Sequence, residues 1–355
     1  MIVALIFGGK SSEHSVSVAT AITAYDALKD KYEVLPVYID KYGVWHMGKK
    51  NTKPTIKELL KGKKVKVSFS SPYFYVGMQK IKIDCAFLCL HGVNGEDGSV
   101  QGVLRLASIP FTGCDVTASA VGMDKVIMKD IFKSNSISCV DYFYVRSDDY
   151  LKQILQVKEK ANAMGYPLII KPANAGSSIG ISIAKNGKEL DKGLKKAFTY
   201  DNKVIVERAL QNIKELNCAV LKSENRYFVS CIEKPTKKGE ILSYVDKYSL
   251  SSSKREIPAQ IDSETEQKVK ALALATFRTL SCAGVARIDF LVDMQGNVFV
   301  NEINTIPGSL SFYLFASSFT KEKVCSLLID DAIYNKKKRD ELSYTYQNEI
   351  FASKF

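Results

Sequence analysis

Residues 2–40 read IVALIFGGKSSEHSVSVATAITAYDALKDKYEVLPVYID. The apolar run 2–7 predicts a buried strand, residues 14–30 predict a helix, and residues 32–40 predict a second strand. This order predicts a parallel sheet with a crossover helix. Gly8 and Gly9 let the backbone turn tightly and come close to a nucleotide, a small charged substrate or a neighbouring helix. The site of any ligand is then expected at the carboxyl ends of the strands.

The composition is that of a globular protein with a sizeable core. The 355 residues are 46% hydrophobic and 25% charged, which allows two or three domains. No apolar run approaches the roughly 20 residues that a bilayer requires. The first run is too short for a signal peptide and ends in glycines. We therefore expect a cytoplasmic protein with no membrane partner.

The cysteine positions argue against a zinc site, and the charge pattern argues against a nucleic-acid interface. The eight cysteines form no CxxC and the three histidines do not cluster with them, so we expect reduced thiols rather than zinc ligands. The net charge of +12 lies in short lysine runs such as KGKKVKV and NKKKRDE. These runs lack interleaved aromatic residues, which favours solvated surface lysine over a nucleic-acid interface. A site for a polyanionic nucleotide would also use some of this charge.

The most informative polar group lies near the C-terminus, in ARIDFLVDMQGNVFVNEINTIPG. Glu302 and Asn304 lie two residues apart on one predicted strand and therefore share a face. If that strand pairs with the preceding one through the turn DMQGN, Asp289 joins them. Two carboxylates and an amide oxygen are ligands suited to magnesium beside substrate phosphates. The alternative is a set of solvated acids at strand ends.

Three loops carry further candidate residues. Lys171 ends the strand of IIKPANAGSSIG, whose glycines and serines could cover phosphates or form a plain flexible loop. His91 stands where a buried strand meets LHGVNGEDGSVQG, as a ligand-binding or a capping residue. The serine-rich stretch 244–258, YVDKYSLSSSKREIP, is either an active-site lid or an exposed loop.

Taken together, these stretches resemble the D-alanine–D-alanine ligases of the ATP-grasp superfamily, and they follow one another along the chain in the same order as in that family. The motifs that carry the resemblance are GGKSSEHSVS, HGVNGEDGSVQG, IPFTGCDVTASAVGMDK, IIKPANAGSSIG, VIVERAL, DKY, ARIDF and NEINTIPGS. They span residues 1 to about 314. Each motif alone is weak, and the ordered set is highly specific.

The resemblance implies the fold and the reaction. The expected fold class is α/β, with an α+β C-terminal part, in a three-domain ATP-grasp architecture. The N-terminal parallel-sheet domain (1–118) would bind substrate, and ATP would lie between the central (119–209) and C-terminal (210–345) subdomains. ATP would phosphorylate the carboxylate of one D-alanine, and the amine of a second amino acid would attack the acyl phosphate. A bacterial role in peptidoglycan precursor synthesis, a homodimer and two magnesium ions, or manganese, are also implied.

The resemblance assigns roles to residues of the first substrate and of the reaction. Glu13 would hold the ammonium group of the first D-alanine, and His91 would lie near its carboxylate. Ser177 would link towards Glu13 and Tyr248. Arg287 and the backbone N–H of Gly308 would stabilise the tetrahedral oxyanion. The metal ligands would be Asp289, Glu302 and Asn304.

The implied ATP site is formed by residues of several motifs. Those at the phosphates would be Lys125, Lys171, Lys247 and Ser178. Adenine and ribose would be flanked by Glu207, Leu210 and Glu215. Between Leu210 and Glu215 the chain reads QNIK, one residue longer than the usual spacing.

Two positions bear on the second substrate. Tyr248 stands where D-alanyl-D-lactate ligases have histidine, which favours an amino-acid nucleophile. Tyr313 and Leu314 stand where family members have the serine and leucine that hold the second carboxylate. A tyrosine hydroxyl can donate as serine does, but its ring fills space. The acceptor pocket is therefore expected to be reshaped, unless Tyr313 points elsewhere and backbone groups bind the carboxylate. The expected acceptor is D-alanine in a shifted geometry, with D-serine or another amino acid as the alternative.

Two other function classes compete with a ligase. The early glycines alone suggest a Rossmann oxidoreductase, which the missing GxGxxG argues against. A non-catalytic ATP-binding module would not require Glu13 or Arg287.

Overall fold

The computed structural model describes residues 1–235 and 255–343. Its strands are β1 (Ile2–Gly8), β2 (Glu33–Ile39), β3 (Trp45–Met47), β4 (Lys63–Lys64), β5 (Lys66–Val67), β6 (Tyr73–Val76), β7 (Gln79–Lys82), β8 (Cys85–Leu88), β9 (Tyr142–Arg146), β10 (Leu168–Pro172), β11 (Ser182–Ala184), β12 (Lys203–Arg208), β13 (Lys214–Ser223), β14 (Arg226–Pro235), β15 (Arg255–Glu256), β16 (Val285–Val292) and β17 (Val298–Asn304). Its helices are α1 (His14–Leu28), α2 (Ile56–Leu59), α3 (Ser99–Leu106), α4 (Val116–Met123), α5 (Lys125–Ser134), α6 (Ser147–Tyr150), α7 (Ile154–Met164), α8 (Gly187–Ala197), α9 (Ser263–Thr279) and α10 (Lys321–Asp340), with a 3-10 segment at Gly308–Leu314. Within these ranges, no helix combines the length and apolarity needed to cross a bilayer.

The N-terminal sheet has the order β4-β3-β2-β1-β8. β1 pairs in parallel with β2 and β8, as the strand–helix–strand pattern predicts, and α1 is the crossover helix. β3 and β4 extend the same sheet in antiparallel fashion. The lysine-rich stretch 49–80 supplies β4 and most of a small antiparallel sheet, β5-β6-β7, at the periphery.

A close approach of two backbone segments requires glycine at the end of β1. Gly8 has φ +93°, and a Cβ atom there would lie 2.1 Å from the carbonyl oxygen of Ile39. No L side chain fits this approach. The N–H of Gly9 donates to that same oxygen (2.7 Å), so the chain crosses the end of β2 before α1 begins.

The central and C-terminal sheets are both antiparallel. The central sheet has the order β11-β10-β12-β9, and the C-terminal sheet has the order β15-β14-β13-β16-β17. The predicted pairing through the turn DMQGN is confirmed, because Asp289 lies opposite Glu302 and Arg287 lies opposite Asn304.

Helix α5 connects the central and C-terminal sheets. Its Met128 and Phe132 belong to the same apolar core as Phe277 of α9. Its Lys129 lies 2.8 Å from Glu207 of β12. The predicted domain boundaries stay a prediction, and this packing shows that α5 contributes to both neighbouring sheets.

The polar sequence after about Lys336 predicts a marginally ordered tail, of which residues 344–355 lie outside the described residues. The beginning of this stretch is instead helical. Helix α10 continues to Asp340, and Arg339 donates to Asp115 (3.2 Å). The apolar side chains of α10 belong to the core that covers the N-terminal sheet.

Candidate active site

A cavity of about 1180 Å³ lies where the three main sheets meet. Fourteen of the residues singled out from the sequence line it: Glu13, His91, Lys125, Lys171, Ser177, Ser178, Leu210, Glu215, Arg287, Asp289, Glu302, Asn304, Gly308 and Tyr313. These residues are up to 300 positions apart in the chain, counted from Glu13 to Tyr313. The fold therefore brings the separate motifs to one place.

Two other candidates do not line the cavity, and two more lie outside the part of the chain that the structure describes. Glu207 is 1% exposed and lies beneath it, and Leu314 is fully buried in the core that covers the N-terminal sheet. Lys247 and Tyr248 lie outside the described residues.

One part of the cavity is a slot between two sheets. Ile169 and Ile183 of the central sheet line one side, and Phe290 and Ile303 of the C-terminal sheet line the other. Apolar walls with a few polar groups at the ends are typical of small-molecule sites. A flat aromatic base would fit between them.

A buried ion cluster supports the base of this slot. Glu207 lies 2.6 Å from Lys171 and 2.8 Å from Lys129. Burial alone would raise the pKa of Glu207, but the two ammonium groups lower it to about 2. Sequence analysis missed Lys129, although its i+4 spacing from Lys125 on one helix was a signal. The cluster fixes the Lys171 ammonium at the cavity wall.

The predicted metal ligands face the cavity together. Asp289 and Glu302 are directly opposite each other on β16 and β17, and the Asn304 amide donates to Asp289 (3.3 Å). Their oxygens are the donors that a hard divalent cation prefers, so the residues present fit such an ion. Within residues 1–235 and 255–343, no group of three His, Cys, Asp or Glu has metal-site geometry, so the predicted set depends on the Asn304 oxygen.

Arg287 is held beside these donors. Its Nε and Nη2 donate to the two oxygens of Asp289 at 2.7 and 2.8 Å. Burial opposes its charge, but the Asp289 carboxylate raises the pKa of Arg287 well above its usual value. A fixed, permanently charged guanidinium can stabilise negative charge that develops in the cavity.

Glu13 lies at the N-terminus of α1 and is 6% exposed. The hydroxyl of Ser177 donates to its carboxylate. A side chain on Gly92 would come within 2.8 Å of the same carboxylate. The glycines around Glu13 therefore leave room for a small group beside it.

Residues of the loop after β8 hold the chain after β17. The Nδ1 of His91 lies 2.8 Å from the Ile306 carbonyl and its Nε2 lies 2.9 Å from the Thr20 hydroxyl. Glu96 accepts from the N–H of Ile306 (3.1 Å). Burial and the Glu13 carboxylate raise the pKa of Glu96 to about 8. Sequence analysis missed Thr20 and Glu96, although Glu96 lies within the quoted motif HGVNGEDG.

Tyr313 lines the cavity, and its hydroxyl is hydrogen-bonded within the protein. Its hydroxyl donates to Glu233 (3.0 Å), and Asn217 donates to the same oxygen (3.0 Å). Arg255 lies over the Tyr313 ring, 4.9 Å from its centroid. Burial raises the pKa of Tyr313 to about 12, so the hydroxyl keeps its only proton. Sequence analysis missed Glu233 and Arg255.

Comparison with known proteins gives the family. The model for the D-ala D-ala ligase N-terminus matches residues 2–114, and the model for the D-ala D-ala ligase C-terminus matches residues 131–329. A D-alanine--D-alanine ligase of Thermosipho melanesiensis is 39% identical over 343 residues, which cover 92% of each chain.

Solved structures agree on the fold. The VanG D-Ala:D-Ser ligase of Enterococcus faecalis is 31% identical with a TM-score of 0.82, over 94% of this chain and 99% of that one. The D-alanine-D-alanine ligase of Coxiella burnetii, 24% identical over 96% and 97% of the two chains, has the same TM-score of 0.82. The predicted α/β class and ATP-grasp architecture are thus confirmed.

The apolar walls, cations and hard metal donors of the cavity suit a nucleotide with a metal ion, and the relatives place the chain in a class of enzyme, the ATP-dependent ligases. The chain belongs to the D-alanine–D-alanine ligase family. Membership implies the use of ATP and of a divalent metal ion.

Proposed function

We propose that this protein uses ATP to join D-alanine to a second D-alanine for peptidoglycan precursor synthesis. The observation that supports this most directly is that Glu13 and Arg287 face one cavity with Asp289 and Glu302. The Glu13 carboxylate would attract a substrate ammonium group, and the other charges suit the transfer of a phosphoryl group. A module that only bound nucleotide would not require this combination.

The ATP site is proposed to occupy the slot and the adjacent cations. Adenine would lie between the apolar walls near Leu210, with Glu215 towards the ribose. Lys125 donates to the Ala175 carbonyl (2.8 Å) in the loop that carries Ser178, and Lys171 donates to Asn301 (3.3 Å) of β17, so both ammonium groups lie on the cavity wall. Glu207 would act by fixing Lys171 rather than by lining the site.

The metal site is proposed at Asp289, Glu302 and Asn304, with two Mg²⁺ or Mn²⁺ ions. When bound, such ions would neutralise the negative charge on the phosphate oxygens. The closeness of Lys125 to Glu302 (3.9 Å) places a further cation next to this site.

The bond-forming step would use residues on opposite sides of the cavity. A carboxylate repels nucleophiles, and phosphorylation gives it a leaving group. Glu13 would hold the ammonium group of the first D-alanine, with Ser177 orienting that carboxylate. Arg287 and the N–H of Gly308 would stabilise the oxyanion of the tetrahedral intermediate.

We also propose, from the family resemblance, a cytoplasmic homodimer.

The test of the proposed function is product analysis. We expect the purified protein to release ADP and phosphate with ATP, Mg²⁺ and D-alanine alone, and to form D-alanyl-D-alanine identified by mass. Chelation of the metal should abolish both products. Little turnover until D-serine or another amino acid is added would instead identify a ligase of mixed dipeptides.

The mixed-dipeptide alternative is kept because of one observation. The single proton of the Tyr313 hydroxyl is donated to Glu233, so in this arrangement it is not available to an acceptor carboxylate. One structural relative is described as a D-Ala:D-Ser ligase. Competition between D-alanine and D-serine in the same assay decides between the two acceptors.

Substitution of Tyr313 by phenylalanine removes the hydrogen bond to the Glu233 carboxylate, which holds the Tyr313 ring at the cavity wall. Because the ring then loses its fixed position, the KM of the acceptor amino acid is expected to rise about tenfold. The KM of ATP should change less than about twofold. Tyr334→Phe is the matched control, since the Tyr334 hydroxyl donates to Asn225 and Tyr334 is not among the residues that line the cavity. An unchanged acceptor KM in Tyr313→Phe would mean that the hydrogen bond from Tyr313 to Glu233 does not shape the acceptor pocket.

A further inference from the structure

The chain after β17 contains an unusual backbone conformation. Ser309, Leu310 and Ser311 have φ values of 49°, 48° and 50°. Three consecutive non-glycine residues in the left-handed region are disfavoured for L-amino acids. Such a segment persists only where its surroundings hold it, and strain of this kind clusters at functional sites. The segment directly follows Gly308, the proposed oxyanion donor.

The groups that hold this segment come from the N-terminal sheet and its helix. The N–H of Ser309 donates to the Thr20 hydroxyl of α1 at 3.1 Å. Thr20 is 1% exposed. The N–H of Ile306 donates to Glu96 at 3.1 Å. These contacts lie on either side of Gly308 and fix the direction of its N–H.

The polarity of the hydrogen bonds at Thr20 follows from its neighbours. The Ile306 carbonyl only accepts, so His91 carries its proton on Nδ1. Burial lowers the pKa of His91 to about 4, so the ring is neutral and Nε2 accepts from the Thr20 hydroxyl. The Thr20 oxygen is then left to accept from Ser309. The Thr20 hydroxyl therefore donates one hydrogen bond to His91 and accepts one from Ser309. Among the described contacts, no other hydroxyl of α1 bonds to either residue.

We propose that Thr20 is a positioning residue, which aligns the N–H of Gly308 with the developing oxyanion by holding the left-handed segment Ser309–Ser311. The proposal rests on the ligase function given above. Thr20 acts through Gly308, because its hydroxyl is hydrogen-bonded to His91 and to the N–H of Ser309. Because the tetrahedral oxyanion forms only when the second amine attacks, loss of the hydroxyl affects bond formation more than phosphorylation.

The first measurement is independent of any activity. Amide hydrogen exchange of a peptide covering 305–315 is compared in wild type, Thr20→Val and Thr20→Ser. We expect exchange about tenfold faster in Thr20→Val and close to wild type in Thr20→Ser, which keeps the hydroxyl. Thr23→Val is the matched control on the same helix, because within residues 1–235 and 255–343 the Thr23 hydroxyl donates only to the Ala19 carbonyl of α1 (3.3 Å). Equal exchange in Thr20→Val and Thr23→Val would overturn the proposal.

The second measurement is the ratio of dipeptide formed to ADP released. In wild type this ratio tests the ligase function itself. In Thr20→Val we expect kcat for the dipeptide to fall roughly 10- to 100-fold, with the ratio reduced because the acyl phosphate hydrolyses before it is attacked. The KM of ATP should be unchanged. A fall in ADP release and dipeptide in equal proportion would assign Thr20 a general structural role, against the proposal.

A further variant covers the case in which Thr20→Val does not fold. Thr20→Ala also lacks the hydroxyl and introduces no branched side chain. It is expected to show the same faster exchange and the same reduced ratio. If wild type forms no dipeptide but exchange still depends on the hydroxyl, the ligase function fails while the holding of the segment by Thr20 stands.

Discussion

Replacement of Arg287 by lysine is expected to lower kcat by about 10²–10³, the effect of removing one fixed donor from a developing oxyanion. Lysine keeps the charge but cannot present two N–H groups in a fixed plane as Arg287 does towards Asp289. The KM of ATP should change less than about threefold, because Arg287 lies beside the metal donors and not in the apolar slot. Steady-state kinetics with D-alanine and ATP measures this change.

A matched variant separates this effect from a general intolerance of lysine. Arg105 also pairs with an aspartate, Asp115, but on the surface, with 43% of its side chain exposed. Arg105→Lys is expected to leave kcat unchanged, since exposed ion pairs contribute little. A kcat of Arg287→Lys within about threefold of wild type would remove Arg287 from the proposed catalytic group.

Replacement of Glu207 by glutamine is expected to destabilise the protein by about 3–5 kcal/mol, because Lys129 and Lys171 would remain buried with no carboxylate between them. Lys129 is completely buried, so water cannot compensate. A melting temperature about 4–7 °C lower is expected in differential scanning calorimetry without ligands. Asp26→Asn is the control, because the pair of Asp26 and Lys53 is about half exposed and should shift the melting temperature by less than about 2 °C.

The same cluster predicts a pH dependence. The pKa of Glu207 is about 2 in the folded protein, below its ordinary value near 4.3. The stabilisation from Glu207 is therefore complete above pH of about 4.3 and is lost as the pH falls towards 2. The difference in melting temperature between wild type and Glu207→Gln should narrow over that window. A difference that stayed constant down to pH of about 3 would mean that the ion pairs do not provide the stabilisation.

Local patterns in the sequence determined the elements and several parts of the site. The apolar runs around Gly8 and Gly9 predicted β1, α1 and β2 because burial imposes periods of 2 and 3.6 residues on nearby positions. The turn DMQGN predicted that Asp289 would lie opposite Glu302, because a short turn between two antiparallel strands fixes the register in which they pair. The ordered motifs predicted the family, which the comparisons confirm.

Only the tertiary structure decided which residues act on one another across long separations. Thr20 and Ser309 are 289 positions apart, and Tyr313 and Glu233 are 80 apart. Glu207 was predicted beside adenine, and its place beneath the cavity depends on how α5 packs over β12. Periodicity gives the face on which a residue lies, but the partner on the opposing element depends on the packing of whole sheets and helices. The partners of buried polar groups were therefore fixed by the fold and not by any local stretch of the chain.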